Sequence, residues 1–264
     1  MLFFYAALLT LEFTPAIFWK EMQDLQMSIE MRPKVRTPRT KLLRPQTVAE
    51  FQKMFDHIYR RKNNKLYSNT ALMYRLAEEI LSALELARKD YRTQFKTQLP
   101  NVFSWSCAFA NRLRINLHEA LWKKFPGVCS YCSRDIDCVC GTEHPSIPDK
   151  ETVLRRLRRD REGREPKTLR DHQELHARLY KWQNARILPI QVVAHLAEEA
   201  GEVMKEFRHG KLHEVQMEMA DVASWIFAIA TRLELDPIDE LVWRQYPYEC
   251  SRCHKDRCVC KDVI

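Results

Sequence analysis

Residues 188–235 read LPIQVVAHLAEEAGEVMKEFRHGKLHEVQMEMADVASWIFAIATRLEL, two helical patterns joined near His209–Gly210. At about 100° per residue the first has one apolar stripe, Val193, Leu196, Ala200, Val203 and Phe207. Glu199 and Glu202 lie along one flank of that stripe, about 60° and about 120° from Leu196. The second pattern puts Val222, Trp225, Ile229 and Leu233 on its apolar face, with Glu218 and Asp221 on the flank. Two helices joined by so short a turn pack antiparallel, so four acids converge at one edge of a bundle. Crowded carboxylates repel one another unless a cation sits among them. Oxygen-only donors suit Mg²⁺ or Mn²⁺, which keep positions open for water and phosphate.

The full acid pattern is Glu198-Glu199-x-x-Glu202, fifteen intervening residues, then Glu218-x-x-Asp221. It resembles the EExxE…ExxD signature of MazG-like all-α nucleotide pyrophosphohydrolases. A lone ExxE or ExxD is usually a solvated face; the joined pattern beside apolar stripes is far more specific. The resemblance covers about residues 168–246 and, in degraded form, about 47–128. It implies a helical bundle completed by pairing two units, within one chain or between chains, with a homo-oligomer expected, and cleavage of a nucleoside triphosphate to monophosphate and pyrophosphate. It also implies two or more Mg²⁺ (or Mn²⁺) ions on Glu199, Glu202, Glu218 and Asp221. Glu198 projects farther from the stripe, either to orient the attacking water or to be solvated.

Basic and aromatic partners are candidates for the substrate. Lys205 follows Glu202 by three residues but turns away from the core, so phosphate contact and solvation both stay open. Arg232 lies on the Glu218 and Asp221 side and recurs as Arg112, which favours a structural salt bridge. Arg244 resembles the basic residue that late helices of this family offer to phosphates. Trp182 and Gln183 stand where relatives place base-contacting residues. Trp225 reads as core rather than base stack, and His195 as a polar edge residue.

The chain has 264 residues, only 5 of them glycine, and long 3.6-period segments dominate, which points to an all-α fold. A net charge of +8 favours polyanionic partners without choosing among them. Residues 2–9 are apolar, but Glu12 and Pro15 interrupt the run and no basic residue precedes Lys20. That lacks both a signal peptide's basic start and the length of a membrane span, so a cytoplasmic protein without a membrane role is expected. The basic, proline-bearing residues 31–46 read as a linker.

Sliding the chain against itself at an offset of 120 matches Leu76-Ala77-Glu78-Glu79 to Leu196-Ala197-Glu198-Glu199, Ser104-Trp105 to Ser224-Trp225 and Arg112-Leu113 to Arg232-Leu233. Past Asn116 the offset becomes 121, pairing Glu119 with Glu240, Trp122 with Trp243 and Pro126 with Pro247. Each half therefore reads as one repeat of four helices. In the second these are about 168–185, 190–209, 212–235 and 237–245. Thr47-x-x-Glu50 and Thr168-x-x-Asp171 fit capping boxes, and Asn116 and Asp236 open the last helices. Glu202, Glu218 and Asp221 face Ser82, Gln98 and Asn101, so the first repeat is expected to bind metal poorly and the second to be the working one.

Each repeat closes on four cysteines, Cys129-x2-Cys132-x5-Cys138-x-Cys140 and Cys250-x2-Cys253-x4-Cys258-x-Cys260, leaving Cys107 alone in an apolar helix. The spacing suits tetrahedral thiolate ligation of Zn²⁺, a filled and therefore structural site. Disulfides are the alternative that a reducing compartment disfavours. The expected organisation is an N-terminal segment and linker at 1–46, a degenerate repeat with knuckle at 47–140, an arginine-rich linker at 141–167, and the catalytic repeat with knuckle at 168–264. Residues 151–165 carry six arginines, read as a solvated linker helix or a nucleic-acid phosphate contact. The competing reading of the whole is a catalytically inactive zinc-binding adaptor for nucleic acid or protein.

Overall fold

Threonine hydroxyls start the first helix of each half. In α1 (Val48–Leu66) the Glu50 amide donates to Thr47 Oγ1 at 3.1 Å, while the Glu50 carboxylate accepts the Thr47 amide at 3.0 Å. Thr168 and Asp171 do the same, at 3.0 and 2.8 Å, for α6 (Leu169–Leu179). Such a box satisfies two end-of-helix donors at once, worth about 1 kcal/mol. The computed structural model describes residues 43–136, 138, 140 and 149–261. The apolar run 2–9, most of the 31–46 linker and residues 141–148 lie outside them.

Helix α2 (Asn69–Arg88) and a 3₁₀ turn (Arg92–Gln94) lead into α3 (Phe95–Leu113) and α4 (Leu117–Lys124), the last capped by the Asn116 side chain. The arginine-rich run forms α5 (Lys150–Asp160), which buries only Leu154. After α6 come α7 (Lys181–Arg186), α8 (Pro189–Arg208), α9 (Leu212–Arg232) and α10 (Ile238–Gln245). No strand occurs among the described residues, and none of their helices is long and apolar enough to cross a membrane.

Two sequence expectations need correction. The helix expected over 168–185 breaks at Tyr180, whose backbone (φ −112°, ψ 27°) leaves the helix. The break lets its ring pack against Cys129, Cys138 and Cys140, a tertiary contact that helical periodicity does not encode. Asp236 does not cap α10; it pairs with Arg244 at 2.9 Å. The Ile238 amide is met instead by Gln173 Oε1 from α6, at 2.9 Å. Gln52 serves Leu117 of α4 in the same way, at 3.2 Å.

The halves interlock. Helix α2 lies against α8, α3 against α9, α4 against α9, and α10 against α3. One buried core runs through both, from Phe51, Phe103 and Phe109 to Val193, Ile226 and Phe227, and residues 43–264 make one unit. Contacts recur in reciprocal pairs. Phe125 meets His176 edge-on at 4.8 Å, and Tyr246 meets Phe55 at 5.2 Å. The Cys138 amide donates to Leu179 O at 2.9 Å, and the Cys258 amide to Ile58 O at 2.8 Å. Each cysteine loop is thereby docked on the first helix of the opposite half.

Candidate functional site

The acids come from the antiparallel pair α8 and α9. The turn between them needs Gly210, at φ +71°. Apolar residues Leu196, Ala200 and Val203 of α8, and Val222, Ile226 and Ile229 of α9, are buried, so the flanking carboxylates are held at the edge of the core. Ligand atoms of Glu199, Glu218 and Asp221 all lie within 4.8 Å of one another. Glu202 is exposed and outside that trio, though near enough for its charge to act on Glu199. Glu198 is exposed and pairs with His195 at 2.7 Å.

Two neighbours set the trio's electrostatics. Trp225 Nε1 donates to Glu199 Oε1 at 3.1 Å, and its ring stacks on His195 at 4.7 Å. Lys124, from the end of α4 in the other half, places Nζ 3.5 Å from Glu218 and in hydrogen-bond contact with Asp221. All three of these side chains are less than a fifth exposed, so the contacts are poorly screened. Burial, reinforced by Glu218 and Glu202, pushes the Glu199 carboxyl up despite the Trp225 hydrogen bond and Lys124. The trio thus carries more negative charge than one lysine neutralises. Such a surplus, offered by oxygens alone, fits Mg²⁺ or Mn²⁺.

At the matching place in the first half Ser82, Gln98 and Asn101 stand for Glu202, Glu218 and Asp221, and Glu79 remains an acid. Gln245 Nε2 donates to Asn101 Oδ1 at 2.5 Å, and Tyr246 donates to the same oxygen at 2.6 Å. Gln98 occupies Glu79, at 2.8 Å.

The other candidates are dispersed. Trp182 is half exposed between Lys181 and Arg186. Gln183 donates to the carbonyls of Cys138 and Cys140, at 2.5 and 3.0 Å, and so supports the first cysteine loop. Lys205 faces solvent and pairs with Glu206. Arg232 Nε donates to Ile187 O at 2.8 Å, pinning the entry to α8, as Arg112 pins Tyr67 O at 3.1 Å. Arg244 is engaged with Asp236. Sequence reasoning missed Lys124, although its counterpart at an offset of 121 is Gln245, a change that parallels the lost acids.

Both cysteine sets converge, Cys129, Cys132, Cys138 and Cys140 in one and Cys250, Cys253, Cys258 and Cys260 in the other. Sulfur separations are 3.3, 3.6 and 3.9 Å in the first, and Cys250 lies 3.9 Å from Cys260 in the second. A zinc tetrahedron with bonds of about 2.3 Å sets sulfurs about 3.8 Å apart, whereas a disulfide needs about 2.05 Å. All nine cysteines are free thiols, and both sets fit a tetrahedral metal. Among the thiols, burial is the first influence on Cys132 and Cys253. Hydrogen bonds from the Arg134 amide and from Cys140, Cys138 and Cys129 together outweigh it on Cys132, as those from the Val259 and Lys255 amides and from Cys250 and Cys260 do on Cys253, and bring both down to about 7, while burial holds Cys140 and Cys260 up. Amides aimed at sulfur favour the thiolate a metal requires.

No curated protein and no solved structure matches the chain. Residues 189–237, which span α8, α9 and the turn beyond, match the MazG nucleotide pyrophosphohydrolase domain. Over those 49 of the chain's 264 residues, on a helix pair of an all-helical fold, the chain is similar to that domain.

Proposed function

We propose that the chain is a metal-dependent nucleoside triphosphate pyrophosphohydrolase, built from two tandem helical repeats of which the second is catalytic. The observation that carries this is the convergence of Glu199, Glu218 and Asp221 on the matched helix pair, against the neutral Gln98 and Asn101 of the first half. Those three acids, with Glu202 at the rim, would hold Mg²⁺ or Mn²⁺. When bound, the ions would supply Lewis-acid polarisation of the α-phosphoryl group and a more acidic attacking water.

The residues of the chain do the rest. Trp225 fixes the rotamer of Glu199, so a carboxylate oxygen stays aimed at its neighbours. Lys124 is a tethered cation within reach of Glu218 and Asp221, and it can move to a phosphate oxygen once those acids are occupied. Glu198, exposed at the rim and bonded to His195, would orient water. No serine, cysteine or histidine nucleophile is called for. Two structural zinc ions would occupy the cysteine sets and pin the loops at 129–140 and 250–260, since metal binding adds to folding free energy.

Purified protein incubated with a panel of ribo- and deoxyribonucleoside triphosphates and Mg²⁺ should release pyrophosphate. Chelation, Glu202→Gln or Asp221→Asn should abolish that release. No turnover across the panel, alongside tight and salt-sensitive RNA binding, would instead establish the adaptor reading.

A further inference from the structure

The two cysteine loops share a framework but face different things. In the first loop the Cys129 amide donates to Arg134 O and the Ser133 amide to Cys129 O; in the second, Cys250 with Lys255 and His254 with Cys250 repeat the pattern. The residue two beyond the first cysteine is Tyr131 in one and Arg252 in the other. The first loop follows directly on α4, whose last residue, Lys124, lies in the acid trio. Lys150, the first residue of α5, holds its ammonium 4.3 Å from the centre of the Tyr131 ring. Tyr131 is more than a third exposed, so its ring is within reach of a ligand.

Lys124 ties the entry of this loop to the trio through Glu218 and Asp221, and α5 packs against α4, so Tyr131 and Lys150 stand on elements that adjoin the acids. Burial and then Lys124 lower the Lys150 ammonium, while Cys129 and Glu218 pull it up. An aromatic face and two ammonium groups, all drawn from outside the α8–α9 pair, are thus carried on elements joined to the carboxylates through Lys124. A nucleoside triphosphate needs that complement, because the acids alone repel phosphate and offer no apolar face to a base.

We propose that the first cysteine loop is part of the nucleotide site of the second half, with Tyr131 a base-stacking platform and Lys150 a phosphate contact. This rests on the hydrolase reading above. A base stacked on an aromatic ring is worth about 1–3 kcal/mol, a change of about five-fold or more in affinity.

The test compares binding of α,β-imido deoxynucleoside triphosphates and of inorganic tripolyphosphate, by calorimetry with Mg²⁺, together with steady-state KM and kcat. Tyr131→Ala should weaken every nucleotide about ten-fold and raise KM with kcat held, while leaving tripolyphosphate affinity unchanged. Tyr131→Phe should restore nucleotide binding, since the ring and not the hydroxyl is used. Lys150→Met should weaken nucleotide and tripolyphosphate alike, and Arg252→Ala should alter neither. Circular dichroism and zinc content establish that each variant is folded. Nucleotide affinity of Tyr131→Ala within two-fold of the parent, in a protein that hydrolyses triphosphates, overturns this proposal alone. A parent that neither binds nor hydrolyses them overturns the hydrolase reading and this proposal with it.

Discussion

Lys124 is hydrogen-bonded to Asp221 across the two halves of the chain, and its counterpart Gln245 is bonded to Asn101 at the equivalent place. Both partners are charged at one position and both are neutral at the other. Lys124→Met removes the only ammonium in direct contact with Glu218 and Asp221 among the described residues. Breaking one side of a buried ion pair costs about 3–5 kcal/mol, and somewhat less here because the side chains keep some exposure. Urea denaturation in the presence of a chelator should show that loss, and Mg²⁺ should recover most of it. Equal midpoints for parent and variant in chelator would dismiss the compensation.

In the proposed reaction Trp225 acts through Glu199 rather than on substrate. Trp225→Phe keeps the ring stacked near His195 but removes the Nε1 donor. Loss of one orienting partner behind a metal ligand lowers metal affinity or activity about 10- to 100-fold. The expected signature is a higher Mg²⁺ concentration for half-maximal pyrophosphate release with little change in nucleotide KM. A change in KM alone would make Trp225 a substrate contact instead.

Two zinc ions per chain should be found by elemental analysis of protein purified without chelator. Cys250→Ser should lose one of them and lower the melting temperature, because the second loop is held against α1 through the Cys258 amide and Ile58 O. Full retention of both ions would remove Cys250 from the ligand set.

Acid should destabilise the fold from below about pH 6.5. Burial lowers His172 to about 3, with His176 and His118 adding to it, and burial lowers His176 to about 4. Both folded values lie below the unfolded value of 6.5, so the unfolded chain binds more protons between them. Stability is therefore complete above pH 6.5 and falls as the pH drops towards those folded values. His176→Phe removes one of the two titrations. It should flatten the dependence of the denaturation midpoint between pH 6.5 and pH 4, and an unchanged slope would exclude His176 as a source.

Gly201 sits inside α8 without a left-handed backbone, and a Cβ built there meets nothing within 4 Å. Gly201→Ala should stabilise by about 0.4–1 kcal/mol through the unfolded chain, visible as a higher melting temperature with turnover retained. Lost turnover at raised stability would show that the bare backbone beside Glu202 is needed for access.

Much of this was legible in the sequence because it is local. The apolar stripes of α8 and α9, the threonine boxes at Thr47 and Thr168, and the cysteine spacings each depend on residues a few positions apart. Glu199, Glu218 and Asp221 converge because their helices are consecutive. What escaped depends on contacts between distant segments. Lys124 reaches Asp221 from the other half, Gln173 rather than Asp236 meets the start of α10, and Gln183 turns to the carbonyls of Cys138 and Cys140. Arg232 looked like an ion-pair partner, yet a backbone carbonyl takes its Nε. Helical angle states which way a side chain leaves its own helix, not which element arrives there.

The exchange of cysteine loops, Cys138 onto Leu179 and Cys258 onto Ile58, also bears on how the polypeptide matures during synthesis. A ribosome delivers α1 to α4 long before either docking partner exists, so the leading segment waits with its apolar surface uncovered. Contacts of such long sequence separation slow the final step and prolong exposure to aggregation. Newborn chains should therefore lean on chaperones until the last cysteines emerge.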